Sequence, residues 1–264
     1  MILTVDIGNT TVAVAGYEGE RQAFVGRLAS DAIWDGAAWK AGLTELLPQG
    51  AGEPEGAALS SVVPALTGPV AQALTELTGR PALVVGHNAS TGLDLGGYDP
   101  SSLGADRIVD CVAALSLCTG PVAVFDMGTA TTLSVADGTG VFRGGMILPG
   151  VALGLEALSA RTARLPAVRL APPEGLLATD TQGCMRHGAL YGAAGAVEGI
   201  IRRLERELGK VTVVLTGGNS ALVYPLLEIP ARLEPELTFL GLLRIWQRSE
   251  EEKNGRTALS GPSI

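Results

Sequence analysis

Short apolar runs alternate with stretches of helical spacing along the first part of the chain. Residues 2–29 contain buried and period-two apolar runs typical of two or three strands. Further apolar runs at 57–62 and 82–85 predict short strands, and the spacing at 34–47 and 65–77 predicts helices. This alternation of strand and helix predicts an α/β fold.

The second part of the chain repeats this alternation. The predicted elements are a helix reaching Leu117, strands at 122–126, 133–136 and 141–147, helices at 150–160 and 183–208, a strand at 211–215 and an amphipathic stretch at 236–246. Residues 87–102 read as a long irregular loop, and loops of this length inside a compact domain are usually functional. The polar, glycine-containing segment from Ser249 to Ile264 predicts a disordered tail.

The long helix predicted at 183–208 carries two periodic series. The apolar series, with steps of 3 and 4, is Leu190, Ala194, Val197, Ile201, Leu204 and Leu208, and the glycine series is Gly188, Gly192, Gly195 and Gly199. Each glycine inside a helix costs about 1 kcal/mol relative to alanine. Close approach of another backbone is the natural compensation, either at a helix crossing within one subunit or at a dimer interface.

One motif occurs twice in the chain. In Val124–Thr132 an apolar run ends in Asp126, and Gly128, hydroxyl residues and a second apolar run follow. The stretch Val5–Val14 has the same order around Asp6, at an offset of 126 − 6 = 120 positions. This repeat predicts two similar halves, each presenting an Asp-Gly-Thr hairpin to one central cleft, where a polyphosphate could be held from both sides.

The residue types of the hairpins suit phosphate. Glycine lets the backbone approach a ligand closely, hydroxyls and turn amides donate hydrogen bonds to phosphate oxygens, and a carboxylate can hold the accompanying cation. The Walker pattern is absent, and no G-x-G-x-x-G follows a strand and opens a helix. A glycine turn, Thr216-Gly217-Gly218-Asn219-Ser220, could lie flat against adenine or ribose.

Two further polar pairs stand at predicted helix starts. Asp106 and Arg107 follow Gly104, and Asp106 is either a helix N-terminal charge or a base beside a cation that steadies anionic oxygens. Asp180-Thr181 offers either a helix cap or a hydroxyl that contacts substrate.

Composition narrows the classes of function. The net charge of −8 makes nucleic acid and anionic membrane unlikely partners. Three cysteines without a C-x-x-C pair favour a reduced cytoplasmic setting, and two histidines exclude a three-histidine zinc site. The N-terminus has no signal-peptide pattern, and the uncharged stretch 57–75 is broken by prolines and a glycine, so no membrane association is expected.

Seven motifs in a fixed order resemble the type III pantothenate kinase family over about residues 1–245. They are Asp6-x-Gly-Asn-Thr10, Gly104-Ala-Asp-Arg107, Asp126-x-Gly-Thr-Ala-Thr131, Gly144-Gly-x-Ile-x-Pro-Gly150, Arg161-Thr-Ala-x-Leu-Pro166, Asp180-Thr181 and Tyr191-Gly-x-x-Gly-x-Val-Glu-Gly199. The resemblance implies two ribonuclease H-like halves of the acetate and sugar kinase/Hsp70/actin superfamily, with ATP-dependent phosphorylation of pantothenate in a cytoplasmic homodimer.

The resemblance also assigns roles to residues. Asp106 is implied as the catalytic base and Asp126 as the ligand of a potassium or ammonium ion, beside ATP with Mg²⁺. Implied contacts with pantothenate are Tyr98, Gly104, Ala105, Asp106, Arg107 and Thr181. Implied contacts with ATP are Asp6, Ile7, Gly8, Asn9, Thr10, Thr11, Val12, Ala13 and Thr129.

The expected division is an N-terminal half at 1–118, a C-terminal half at 119–248 and the tail at 249–264. Cys184 and Arg186-His187 stand where relatives more often carry serine and small polar residues. Two alternatives remain at this point: a non-catalytic ATP-binding regulatory protein of the same fold, and a kinase for another small hydroxyl substrate. Retention of Asp106, Arg107 and Asp126 favours catalysis.

Overall fold

The computed structural model describes residues 1–30, 35–50, 52–86 and 89–259. The chain divides into two compact units. Unit 1 comprises Met1–Leu93, Asp99–Ala113 and Thr238–Ile264, and unit 2 comprises Asp94–Tyr98 and Ala114–Leu237.

Within its described residues, unit 1 holds a five-stranded mixed sheet. Its strands are β1 (Ile2–Ile7), β2 (Thr11–Glu18), β3 (Arg21–Ala29), β4 (Gly56–Ser61) and β5 (Leu83–Val84), in the order β3-β2-β1-β4-β5. The first three strands pair antiparallel, whereas β1, β4 and β5 are parallel. The helices α1 (Gly36–Glu45) and α2 (Pro64–Thr78) lie between β3 and β5 in the chain.

Strand β1 sends alternate side chains to two apolar clusters. Leu3, Val5 and Ile7 pack with residues of α1 and α2, including Trp39 and Leu74. Ile2, on the other face, packs with Phe239 and Leu243 of the final helix α7 (Leu237–Leu259). Because side chains alternate along a strand, Asp6 shares the face of Ile2 rather than that of Ile7.

Unit 2 repeats this architecture. Its described strands are β6 (Val122–Met127), β7 (Ala130–Ala136), β8 (Phe142–Pro149), β9 (Thr212–Thr216) and β10 (Arg232–Leu233), in the order β10-β9-β6-β7-β8. The helices are α3 (Ala105–Leu117), which begins in unit 1, then α4 (Val151–Arg161), α5 (Thr181–Leu208) and the short α6 (Ser220–Val223). Strand order and pairing match those of unit 1, which confirms the predicted α/β fold in two similar halves.

The two periodic series of helix α5 differ in their burial. Leu190, Ala194, Val197 and Ile201 are buried against the unit 2 sheet, so this apolar seam is an internal core. Gly188, Gly192 and Gly195 are exposed. Among the described residues, no other element comes within 4 Å of a Cβ built on any of these three glycines. A helix crossing within the described part of the subunit therefore does not account for the glycine series.

The C-terminal segment differs from the prediction. Helix α7 includes the predicted amphipathic stretch 236–246 from Leu237 onward and continues to Leu259, so the prediction of disorder from Ser249 is wrong over the helical part. Residues 260–264, like Trp34 of the first predicted helix and His87 of the predicted loop, lie outside the described residues. Helix α7 also belongs to unit 1, and residues 94–98 to unit 2, which departs from the expected division.

No helix in the described part of the chain is long and apolar enough to cross a membrane.

Candidate active site

The first hairpin forms a tight, exposed turn between β1 and β2. Gly8 N donates to Thr11 O at 2.9 Å, and the side chains of Asn9 and Thr10 are exposed. Ser30 braces the turn, because its hydroxyl donates to Gly8 O at 2.7 Å and its amide to Thr10 O at 3.1 Å. Of the predicted ATP contacts, Ile7 and Val12 are fully buried and Ala13 is half-buried, so these three can offer backbone groups only.

Asp6 stands at the end of β1, directly beside Ser60 of β4 in the parallel register. The buried Ser60 hydroxyl donates to Asp6 Oδ1 at 2.7 Å. Burial raises the pKa of Asp6 to about 6, the Ser60 hydrogen bond opposes that rise, and the charge of Asp106 adds to it. Asp6 and Asp106 therefore lie close enough within unit 1 to influence each other.

Asp106 occupies the first turn of α3. A Cβ on Gly104 would overlap its carboxylate, so the glycine leaves the space that this side chain fills. Burial raises the pKa of Asp106 above its ordinary value, while the backbone amide and the charge of Arg107 oppose the rise. Arg107 N donates to Asp106 Oδ1 at 2.9 Å, and Arg107 itself is only 6% exposed. A partly exposed carboxyl with a raised pKa is a suitable proton acceptor.

The second hairpin places Asp126 next to the glycine turn after β9. Asp126 is half-buried near the end of β6, and Thr129 is exposed at the tip. A Cβ on Gly217, whose φ is +85°, would overlap the Asp126 carboxylate. The absence of a side chain at Gly217 therefore leaves room for the Asp126 carboxylate. Gly218 is exposed, and a contact of this turn with adenine or ribose stays a prediction.

The remaining predicted contacts lie in unit 2. Tyr98 is half-buried and packs edge-on against Phe142, with ring centroids 5.3 Å apart. Thr181 is the exposed first residue of α5. Asp180 caps this helix by accepting a hydrogen bond from Gly183 N at 3.0 Å, so the cap interpretation is correct for Asp180 and leaves the Thr181 hydroxyl open to solvent.

The oxygen-rich second hairpin fits a hard cation. Carboxylate and backbone carbonyl oxygens are the ligands that Mg²⁺ and other hard cations prefer. Within residues 1–30, 35–50, 52–86 and 89–259, no group of three or more His, Cys, Asp or Glu side chains is arranged to hold a metal ion.

An apolar cavity of about 410 Å³ lies between α4, α5 and the sheet of unit 2. Leu158, Gly154, Gly188 and Gly192 line it, together with the exposed Cys184. Exposed apolar side chains occur on the neighbouring elements, at Met146 and Ile147 of β8 and at Leu153 and Leu158 of α4.

Three residues of these sites were not singled out as site residues from the sequence. Ser30 and Ser60 bond to the first hairpin region, and Asn219 bonds to the second. A sequence signal existed only for Asn219, which lies in the recognised glycine turn. The two serines had none, because each is far from its partner along the chain.

Comparison with known proteins identifies relatives over nearly the whole chain. A sequence model of the type III pantothenate kinase family matches residues 2–203. A type III pantothenate kinase from Moorella thermoacetica is 38% identical over 253 residues, covering 94% of this chain and 100% of the relative. One from Rubrobacter xylanophilus is 37% identical over 253 residues, covering 92% of this chain and 96% of the relative.

Solved structures support the fold. A Campylobacter jejuni protein described as a Baf family transcriptional activator superposes with a TM-score of 0.58 at 19% identity, covering 94% of this chain and 99% of that one. The ROK hexokinase from Thermus thermophilus gives a TM-score of 0.51 at 16% identity, covering 94% and 99%. At these identities the similarity shows the fold alone.

Proposed function

Because this chain belongs to the type III pantothenate kinase family, we propose that it transfers the γ-phosphoryl group of ATP to the primary hydroxyl of pantothenate. The product is 4′-phosphopantothenate, in the first step of coenzyme A synthesis. The observation that carries the proposal is the Asp106 carboxyl at the start of α3, partly exposed and with a raised pKa. The family match and this intact carboxyl favour catalysis over the regulatory alternative.

Asp106 is the proposed general base. It takes the hydroxyl proton as the substrate oxygen bonds to the γ-phosphorus, and the bond from that phosphorus to the bridging oxygen of ADP breaks. Arg107 stays charged, so its role is to orient the Asp106 carboxylate and to hold anionic oxygens. In phosphoryl transfer such positioning and charge stabilisation supply most of the catalysis.

The hairpins are the proposed phosphate sites. In the first, the turn amides and the exposed Asn9 and Thr10 side chains would donate to phosphate oxygens, and Asp6 would hold the Mg²⁺ that accompanies ATP. In the second, Thr129 would contact ATP and Asp126 would bind potassium or ammonium. These cations, when bound, neutralise phosphate charge and so favour the transfer.

The proposed contacts with pantothenate are Gly104 to Arg107, Tyr98 and Thr181. Gly104 and Ala105 precede the base and can offer backbone groups, whereas Tyr98 and Thr181 offer hydroxyls. Apart from Tyr98, these residues lie in the motifs that resemble the family. The proposed location is the cytoplasm, where ATP is available, and the free thiols of Cys111, Cys118 and Cys184 suit a reducing compartment.

A homodimer is the proposed assembly. The exposed Gly188 and Gly192 of α5, together with Gly154 and the exposed Leu158 of α4, form one small-residue, apolar face around the cavity of unit 2. Exposed apolar patches of this kind mark interaction surfaces. A second copy of the chain would bury this face, and the contact would offset the helix stability lost at the glycines.

A coupled assay of ADP release tests the function. ADP should form with ATP, Mg²⁺, potassium and pantothenate together, and only at background rate without pantothenate. Other small primary alcohols serve as the control for a different acceptor. ADP formation independent of pantothenate, or stimulated equally by any alcohol, would refute the assignment.

A further inference from the structure

Each hairpin has two carbonyl groups held by residues from elsewhere in its own unit. In the first hairpin, Ile7 O accepts a hydrogen bond from Val62 N at 3.0 Å. Gly8 O accepts from the Ser30 hydroxyl at 2.7 Å. Val62 directly follows β4, the parallel neighbour of β1.

The equivalent carbonyls of the second hairpin lie 120 positions later, at Met127 and Gly128 (127 − 7 and 128 − 8). Asn219 holds both. Its backbone amide donates to Met127 O at 3.0 Å, and its side-chain Nδ2 lies 3.2 Å from Met127 O and 3.4 Å from Gly128 O. Both acceptors are carbonyl oxygens, so the side-chain contact requires an amide donor, which a carboxylate lacks.

The turn that carries Asn219 is itself well defined. Ser220 N donates to Gly217 O at 3.1 Å, and the buried Ser220 hydroxyl donates to the same oxygen at 2.6 Å. The absence of a side chain at Gly217 lets this turn lie against Asp126 and the Met127 backbone. The turn is therefore held by its own hydrogen bonds and by its close contact with the hairpin.

Gly150, at the start of α4, packs against the hairpin as well. A Cβ on Gly150 would overlap Thr129 O and would lie 2.7 Å from Gly128 O. The hairpin backbone is thus contacted by the Asn219 turn and by Gly150, and only Asn219 contributes polar donors to it among these contacts.

We propose that Asn219 is a positioning residue for the second phosphate hairpin, which it holds through the carbonyls of Met127 and Gly128. Asn219 donates to both hairpin carbonyls in unit 2, whereas Val62 and Ser30 each donate to one of the two equivalent carbonyls in unit 1. Fixing these carbonyls fixes the two peptide planes from Met127 to Thr129, and with them the direction of the Thr129 amide. The same turn lies against the Asp126 carboxylate through Gly217. The consequence for ATP and potassium rests on the proposed function, whereas the structural role does not.

Hydrogen exchange in the ligand-free protein tests the structural role. Asn219→Asp keeps the size but loses the donor and adds repulsion toward two carbonyls, and Asn219→Ala removes the side chain alone. A hydrogen bond contributes roughly 1 kcal/mol, and tenfold in an equilibrium constant corresponds to about 1.4 kcal/mol. Peptides covering residues 126–131 should therefore exchange about fivefold faster in the alanine variant and faster still in the aspartate variant.

Two controls accompany this measurement. Asn254→Asp makes the same chemical change at an exposed position of α7 and should leave exchange at 126–131 as in wild type. Ser30→Ala should speed exchange around residues 8–11 and leave 126–131 unchanged. Exchange at 126–131 within twofold of wild type in both Asn219 variants would overturn the proposal, and either variant alone suffices if the other does not fold.

Kinetics test the consequence for the reaction. Asn219→Asp should raise KM for ATP and the potassium concentration needed for half-maximal activity by about tenfold, with KM for pantothenate within twofold of wild type. A uniform loss of active protein would instead lower kcat alone, which would count against positioning. If wild type shows no pantothenate-dependent transfer, the proposed function fails, and the exchange measurement still decides the role of Asn219.

Discussion

Ser60 donates a 2.7 Å hydrogen bond to the Asp6 carboxylate from 54 positions along the chain. The contact exists because β4 lies parallel to β1 with Ser60 in register beside Asp6. The hydroxyl stabilises the ionised carboxylate, whereas burial and the charge of Asp106 disfavour it, and the outcome is a pKa of about 6. Asp6 is therefore close to its titration range at neutral pH.

Ser60→Ala should move the acid limb of activity upward. The Ser60 hydrogen bond lowers the pKa of Asp6, so without it the carboxylate protonates at a higher pH. If ionised Asp6 holds Mg²⁺, kcat/KM for ATP should fall on acidification. In Ser60→Ala this fall should begin above pH 6, at a higher pH than in wild type. A pH profile between 5 and 9 measures this, with Ser249→Ala as the control. Coincident acid limbs in Ser60→Ala and wild type would contradict the prediction.

Asp106→Asn should abolish most of the turnover while sparing binding. The amide keeps the shape of the carboxylate but cannot accept the hydroxyl proton, and loss of a general base typically costs 10²–10⁴-fold. Calorimetry should still detect the binding of ATP and of pantothenate to this variant. Asp99→Asn is a matched control, because asparagine can retain the bond that Asp99 accepts from Ser101 N. Turnover within about threefold of wild type in Asp106→Asn would exclude Asp106 as the base.

Activity should depend on potassium or ammonium and be poor in sodium. Asp126→Asn removes the charge that would hold the cation, so the variant should lose most of this salt preference along with activity. Initial rates in matched chloride salts of the three cations, at constant ionic strength, measure the effect. Equal wild-type rates in all three salts would argue against a cation site at Asp126.

Gly195→Leu should yield monomers. The glycine is exposed on α5, and a Cβ there meets no other described element within 4 Å, so leucine fits the isolated subunit and improves its helix propensity by roughly 1 kcal/mol. At a dimer interface, by contrast, the leucine side chain would clash with the second copy of the chain. Sedimentation at micromolar concentration should show a wild-type dimer and a folded monomeric variant of low activity. Gly255→Leu on α7 is the control, and a fully active wild-type monomer would refute the interface.

The sequence by itself predicted most of the secondary structure and the two-fold repeat. Both are encoded locally, in apolar runs, helical spacing and the Asp-Gly-Thr hairpins around Asp6 and Asp126. Prediction failed at the end of α7, where the composition is polar. There the helix carries ion pairs between Arg248 and Glu252 and between Lys253 and Glu250, at spacings that support a helix without an apolar pattern.

Only the tertiary structure decided which polar groups meet. Ser60 with Asp6, and Asn219 with Met127 and Gly128, are partners separated by 54, 92 and 91 positions. Local periodicity carries no information about such pairs, since they depend on which strands become neighbours and in what register. The face of α5 that packs inward was decided in the same way. Its apolar series packs against the sheet of unit 2, because burying those side chains releases more free energy than burying glycine can. Gly188, Gly192 and Gly195 are left exposed.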